Sequence, residues 1–184
     1  MESSEFKLLF AGPMGAGKTT AINAISDTPC VSTEATNTDR DQCDKALTTT
    51  ALDYGHIALD GGNVVHLYGT PGQERFNFMW PILATDATGI VILLDGSHAE
   101  LMQHLDTYVD AFWRNGSLPM VIGVGRLTPA QEGAALGDIM QRLEEKQYAP
   151  PVLAVDVRQH ADVLSLVDTL LCLIEVNELT RETA

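Results

Sequence analysis

The sequence predicts an α/β domain with a mostly parallel six-stranded sheet, one antiparallel edge strand and helices on both faces. Three observations carry that expectation. Short apolar runs recur along the chain, and the cleanest is Gly89 to Leu94, Gly-Ile-Val-Ile-Leu-Leu. A strand apolar at every position is buried on both faces, as in a parallel sheet covered by helices. Segments with helical spacing alternate with these runs, the pattern of repeated strand–helix units. Asp60-Gly61-Gly62 separates two strand-like runs and signals a hairpin, hence one antiparallel pair.

Taken in order, Lys7 to Ala11 reads as a buried strand and Lys18 to Ser26 as a helix. Residues 27–49 are polar and rich in Thr and Asp, a long stretch of the kind that is usually functional or mobile in compact domains. Ala51 to Leu59 and Asn63 to Tyr68 are the hairpin strands. Leu101 to Trp113 has helical spacing, Pro119 to Val124 is a further apolar strand, and Gln131 to Lys146 is a helix with a charged face. Pro151 to Val155 is the last strand and His160 to Val176 the last helix. The apolar residues of that helix, among them Val163, Leu166, Val167 and Leu170, cover more than one face, which favours core packing over an oligomer interface. No repeat or linker interrupts the chain, so residues 1–184 read as one domain.

Hydrophobic residues make up 45% of the chain, enough for a sizeable and mainly aliphatic core. The formal net charge of −14 argues against a surface that tracks nucleic-acid phosphates or binds an acidic membrane. The three cysteines, Cys30, Cys43 and Cys172, form no metal-ligand or C-x-x-C pattern, and their odd count suggests a reducing, cytoplasmic compartment. The acidic start is unlike a signal peptide, no lipidation motif is evident, and no apolar run reaches the roughly 18 residues of a membrane helix, so no direct membrane anchor is expected. The five histidines show no metal-ligand spacing.

Gly12-Pro13-Met14-Gly15-Ala16-Gly17-Lys18-Thr19 matches G-x-x-x-x-G-K-[ST] and lies between a strand and a helix. Glycines let the backbone wrap phosphates, and consecutive N–H groups from Gly12, Met14, Gly15, Ala16 and Gly17 through Thr20 point inward at the N-terminus of a helix. Lys18 supplies a point charge to the β- and γ-phosphates, and the Thr19 hydroxyl is an Mg²⁺ ligand. This is the loop of a nucleoside-triphosphate site.

Gly69-Thr70-Pro71-Gly72-Gln73-Glu74-Arg75-Phe76 follows a strand. Here the chain resembles the Ras-like small GTPases, whose second switch reads D-x-x-G-Q-E, and the T-P-G-Q form looks closest to the bacterial gliding-motility (Mgl-type) GTPases. The resemblance runs from Phe6 to about Val176 and implies a P-loop NTPase fold of the Ras-like G-domain type. It implies GTP and GDP as ligands with Mg²⁺ as cofactor, the Gly72 amide as γ-phosphate sensor, and Gln73 as the residue that orients the attacking water. Thr50, in the run Thr48-Thr49-Thr50, is the first-switch threonine by its spacing to Gly69 and a second Mg²⁺ ligand; a plain strand start is the other reading of that run. The same resemblance suggests a Roadblock/LC7-type regulator and a role in signalling or polarity.

Three departures qualify the resemblance. Gly69 stands where the family's metal-side Asp belongs. The guanine-reading N-K-x-D aligns with Gly125-Arg126-Leu127-Thr128: Gly125 removes a side-chain tie to the loop, Arg126 keeps a long stem that can cover the base, and Thr128 offers one hydroxyl in place of a carboxylate. Losing such a charged contact costs about 1.5–3 kcal/mol, which weakens guanine preference. The family's S-A-K loop aligns with Asp156-Val157-Arg158, where a backbone N–H serves the base and Asp156 can stand in for a missing polar contact. Two rivals therefore stay open: a nucleotide-binding scaffold that hydrolyses little, and a small-molecule kinase. The kinase would need a basic lid, and only the scattered Arg126, Arg142, Lys146 and Arg158 are available for one. Phe76, Phe78, Met79 and Trp80 read equally as a switch-dependent partner patch and as core packing.

Overall fold

The computed structural model describes residues 5–32, 52–113 and 118–182. Thr50 and Cys43 lie outside them, with most of the polar 27–49 stretch. The elements follow in the expected order: β1 (Glu5–Ala11), α1 (Lys18–Ile25), β2 (Val31–Ser32), β3 (Asp53–Ala58), β4 (Val64–Gly69), α2 (Trp80–Leu83), β5 (Gly89–Asp95), α3 (Leu101–Phe112), β6 (Met120–Gly125), α4 (Pro129–Glu145), β7 (Val152–Ala154) and α5 (His160–Glu182). The sheet order is β2-β3-β4-β1-β5-β6-β7. Strands β4, β1, β5, β6 and β7 run parallel, and β3 pairs antiparallel with β4. The six expected strands are joined by the two-residue β2, which pairs antiparallel with β3.

Alternation along β1 shows why helices must cover both faces. Leu8 and Phe10 pack into one cluster with Ile22 of α1 and with Leu166 and Leu170 of α5. Leu9 and Ala11 point the other way, into a cluster with Trp80, Leu105, Tyr108 and Ile139 from α2, α3 and α4. All four strand residues are fully buried, so β1 has no solvent face. The last helix runs past the expected Val176 to Glu182. Its core positions Val163, Leu166, Val167, Leu170 and Ile174 are buried, whereas Val176 and Leu179 are exposed. The crowded aromatic segment divides between its two readings: Phe76 and Trp80 are buried and Phe78 is 63% exposed.

This topology gathers the candidate site at one rim. The C-terminal ends of β1, β4, β5, β6 and β7 deliver the Gly12 loop, Thr70, Asp95, Arg126 and Val155, where open α/β sheets bind ligands.

Candidate nucleotide-binding site

Backbone geometry dictates the phosphate loop's glycines. Gly12 has φ of 142°, and a Cβ there would fall 2.1 Å from the Leu93 carbonyl oxygen, so β1 can leave the sheet there only as glycine. Gly17 caps α1 at φ of 95°, with Val157 packed where its side chain would be. Lys18 opens the helix and is buried; its Nζ donates to the carbonyls of Gly12 and Pro13, each at 2.8 Å. An ammonium has three N–H groups, so one remains for a phosphate. Burial lowers the Lys18 pKa to about 8, although the Asp53 carboxylate pulls it upward.

The second motif seats on this loop. The Thr70 amide donates to the Phe10 carbonyl at 2.9 Å, and the Met14 amide donates to the Gly72 carbonyl at 3.1 Å. Behind it, the Trp80 indole N–H donates to the Pro71 carbonyl and the Tyr108 hydroxyl to that of Gly72. A Cβ on Gly72 would lie 2.6 Å from the Met14 nitrogen and 2.7 Å from Lys18 Nζ, so the contact requires glycine. Gln73 extends its amide nitrogen to 3.8 Å from Met14 Sδ, over the loop.

Beside Lys18 the Thr19 hydroxyl donates to Asp53 Oδ2 at 2.5 Å. Asp53 and Thr70 are both buried, and the Thr70 hydroxyl has no hydrogen-bond partner among the described residues. Lys18, Thr19, Asp53, Thr70, Gly72 and Gln73 line one cavity of about 520 Å³, together with Met14, Gly15 and Arg75. These oxygen donors suit a hard divalent cation such as Mg²⁺.

A second cavity of about 620 Å³ adjoins it, sharing Gly17, Thr20 and Arg126, and continues between β6, β7 and α4 past Ala16, Gly125, Asp156 and Val157. Arg126 bends the chain at φ of 57°. Its guanidinium donates to Asp95 Oδ2 at 2.5 Å and to the Gly15 carbonyl at 2.9 Å, clamping the phosphate loop to the end of β5. Burial pushes the Asp95 carboxyl up, but Ser97 and Arg126 outweigh it and hold its pKa below the usual range. The Asp156 carboxylate is engaged by the Arg158 guanidinium at 2.8 and 2.7 Å, which lowers its pKa to about 2.

Thr128 is in neither lining. It is the N-cap of α4, where its hydroxyl and amide both donate to Gln131 Oε1, at 2.7 and 3.1 Å. Glu132, one turn into α4, lines the larger cavity, and no hydrogen bond or ion pair holds its carboxylate among the described residues. Arg142 and Lys146 are tied to Asp106, and Lys146 also to Asp110, on α3, and neither lines the cleft; Arg126 and Arg158 do line it, but each is engaged by a carboxylate, Asp95 and Asp156. Thr50 lies outside the described residues.

The residues that sequence reading missed are Asp53, Asp95 and Glu132. Asp53 has a signal in hindsight, because it begins the strand that pairs with the one ending at Gly69. Outside the cleft, His98, Glu100 and His104 come together with ligand atoms within 4.8 Å of one another, a grouping the spacing did not suggest.

No family model matches the chain. It is 29% identical over 97 residues to the uncharacterized protein MJ1339 of Methanocaldococcus jannaschii, covering 53% of this chain and 55% of that one. It is 27% identical over 111 residues to the intraflagellar transport protein 22 homolog of Danio rerio, covering 58% and 56%. The chain thus spans about half the length of the curated relatives it matches. Among solved structures it is similar to the bacterial selenocysteine-specific elongation factor EF-Sec, with a TM-score of 0.64 and 15% identity over 91% of this chain and 29% of that one. At that identity the likeness concerns the fold alone, the expected mostly parallel α/β architecture. No helix among the described residues is long and apolar enough to cross a membrane.

Proposed function

We propose that the cleft binds GTP and GDP and that the protein is a cytoplasmic molecular switch with slow intrinsic hydrolysis. The observation that carries this reading is the seating of Gly72 and Gln73 on the phosphate loop beside Lys18. A kinase acceptor site has no use for a glutamine there, whereas hydrolysis needs a group that orients water.

Chemically, the third Lys18 N–H and the loop amides would meet the phosphate oxygens and stabilise charge as it moves toward the β–γ bridge. Gln73 would hold a water in line with the γ-phosphorus; the new P–O bond forms as the bridging bond breaks, releasing phosphate and leaving GDP. Mg²⁺, held by Thr19 and by Thr50 as the resemblance implies, supplies charge neutralisation when bound. The base would occupy the larger cavity, under the Arg126 stem and beside Gly125, Asp156 and Val157. Thr128 is engaged in its cap, so Glu132 is the carboxylate open to accept two hydrogen bonds from a guanine edge. Among the described residues the arginines lining the Lys18 cavity are Arg75, which lies over the Phe76 ring, and Arg126, which is tied to Asp95; neither is aimed at the phosphates as a finger, and this argues for slow turnover unaided. A Roadblock/LC7-type regulator in a bacterial signalling or polarity system follows from the Mgl-type resemblance, and the exposed Phe78 beside the second motif offers such a partner an apolar contact.

The alternative is a nucleotide-binding scaffold with relaxed base specificity, favoured by Gly125 and by the capped Thr128. Two measurements decide. The nucleotide that copurifies with the protein should be GDP or GTP, and finding ADP or ATP would overturn the guanine assignment. In single-turnover assays the wild type should convert bound GTP, and Gln73→Leu should bind it yet turn over about a hundredfold more slowly. No product from the wild type, alone or with a regulator, would leave the scaffold.

A further inference from the structure

We infer that Asp53 is the carboxylate that serves the metal side of this site, taking from the antiparallel strand β3 the place that P-loop enzymes usually fill from the strand beside the loop. The inference rests on the nucleotide reading above and extends it to how the divalent cation is held. In that enzyme class the ion is bound by the loop hydroxyl together with an acidic residue, and the end of β4 offers only Gly69 and Thr70.

Asp53 meets the requirement from across the sheet. Residue 53 is directly opposite residue 69 in the antiparallel pairing of β3 with β4. A Cβ built on Gly69 would lie 2.9 Å from Asp53 Cβ and 3.1 Å from its Oδ2. The two positions therefore compete for one volume, and Asp53 occupies it because residue 69 has no side chain. The carboxylate accepts the Thr19 proton at 2.5 Å, which leaves the lone pairs of that hydroxyl available to a cation. A carboxylate behind a ligating group fixes its orientation and raises its basicity. The Thr70 hydroxyl is independent evidence. It is 2% exposed, has no hydrogen-bond partner among the described residues, and lines the same cavity as Thr19 and Asp53. A buried donor without a partner costs about 1–3 kcal/mol, which a water in the cation's shell would relieve.

The test uses the full chain, fluorescent GDP, and Mg²⁺ or Mn²⁺ as the metal. Nucleotide dissociation is followed as a function of metal concentration and in EDTA, with electron paramagnetic resonance of Mn²⁺ as a direct readout of occupancy. Asp53→Asn should raise the metal concentration needed to retain GDP by about ten- to a hundredfold, while dissociation in EDTA stays near the wild-type rate. The reciprocal variant Asp53→Gly/Gly69→Asp returns one carboxylate to the same volume and should recover most of the metal dependence; it also covers the case in which Asp53→Asn fails to fold. Wild-type metal dependence in Asp53→Asn, equal losses with and without metal, or no recovery in the reciprocal variant would each overturn the inference while leaving nucleotide binding intact. Failure of the wild type to bind any nucleotide would overturn the functional reading and this inference with it.

Discussion

Lys18 is held in the loop at a cost, and that cost can be measured. In the nucleotide-free protein its pKa falls from 10.5 to about 8, with burial as the larger cause and Asp53 opposing. At 1.36 kcal/mol per tenfold change in proton affinity, holding the ammonium in place below pH 8 disfavours folding by about 3 kcal/mol. The sign follows from proton binding. Between pH 8 and 10.5 the unfolded chain keeps the Lys18 proton while the folded chain has released it, so stability rises with pH. Lys18→Met removes that dependence. Urea unfolding of nucleotide-free protein in EDTA should therefore show the wild type gaining about 2.5 kcal/mol on the variant between pH 7 and pH 10. Binding should move the opposite way: a phosphate needs the charged form, so wild-type nucleotide affinity should fall as pH rises through 8. Parallel stability curves for the two proteins would refute the reasoning, because they would mean that Lys18 titrates alike in the folded and unfolded chains.

Two further perturbations probe the two ends of the cleft. Gly72→Ala places a methyl 2.6 Å from the Met14 nitrogen and should push the second motif off the loop; single-turnover hydrolysis should drop about a hundredfold, and an unchanged rate would show that this contact is not part of the reacting arrangement. Glu132→Ala should cut the preference for GTP over ATP by roughly ten- to a hundredfold in competition binding, with phosphate-side contacts untouched; an unchanged ratio would return base reading to the backbone of the Asp156 loop.

Much of the fold is legible because its signals are local. Gly89 to Leu94 is apolar at every position and becomes the interior strand β5, buried on both sides. The helix of α5 was legible in kind and short in extent, because the exposed residues 177–179 beyond Val176 carry no apolar period to read. Asp60-Gly61-Gly62 marks the hairpin whose strands β3 and β4 pair antiparallel. At Thr128 alignment and geometry part: its place in the sequence suggests base contact, but as the first residue before a helix its hydroxyl is taken up by Gln131.

The sequence by itself determined the phosphate loop, since Gly12 to Thr19 is contiguous and each residue's role follows from spacing and backbone freedom. The tertiary structure alone decided which distant groups complete it. Asp53 reaches Thr19 across 34 residues, and Arg126 reaches Gly15 across 111. Those contacts depend on strand register and on the face each side chain takes, and a one-residue slip in pairing would turn Asp53 away from Gly69 and out of the site.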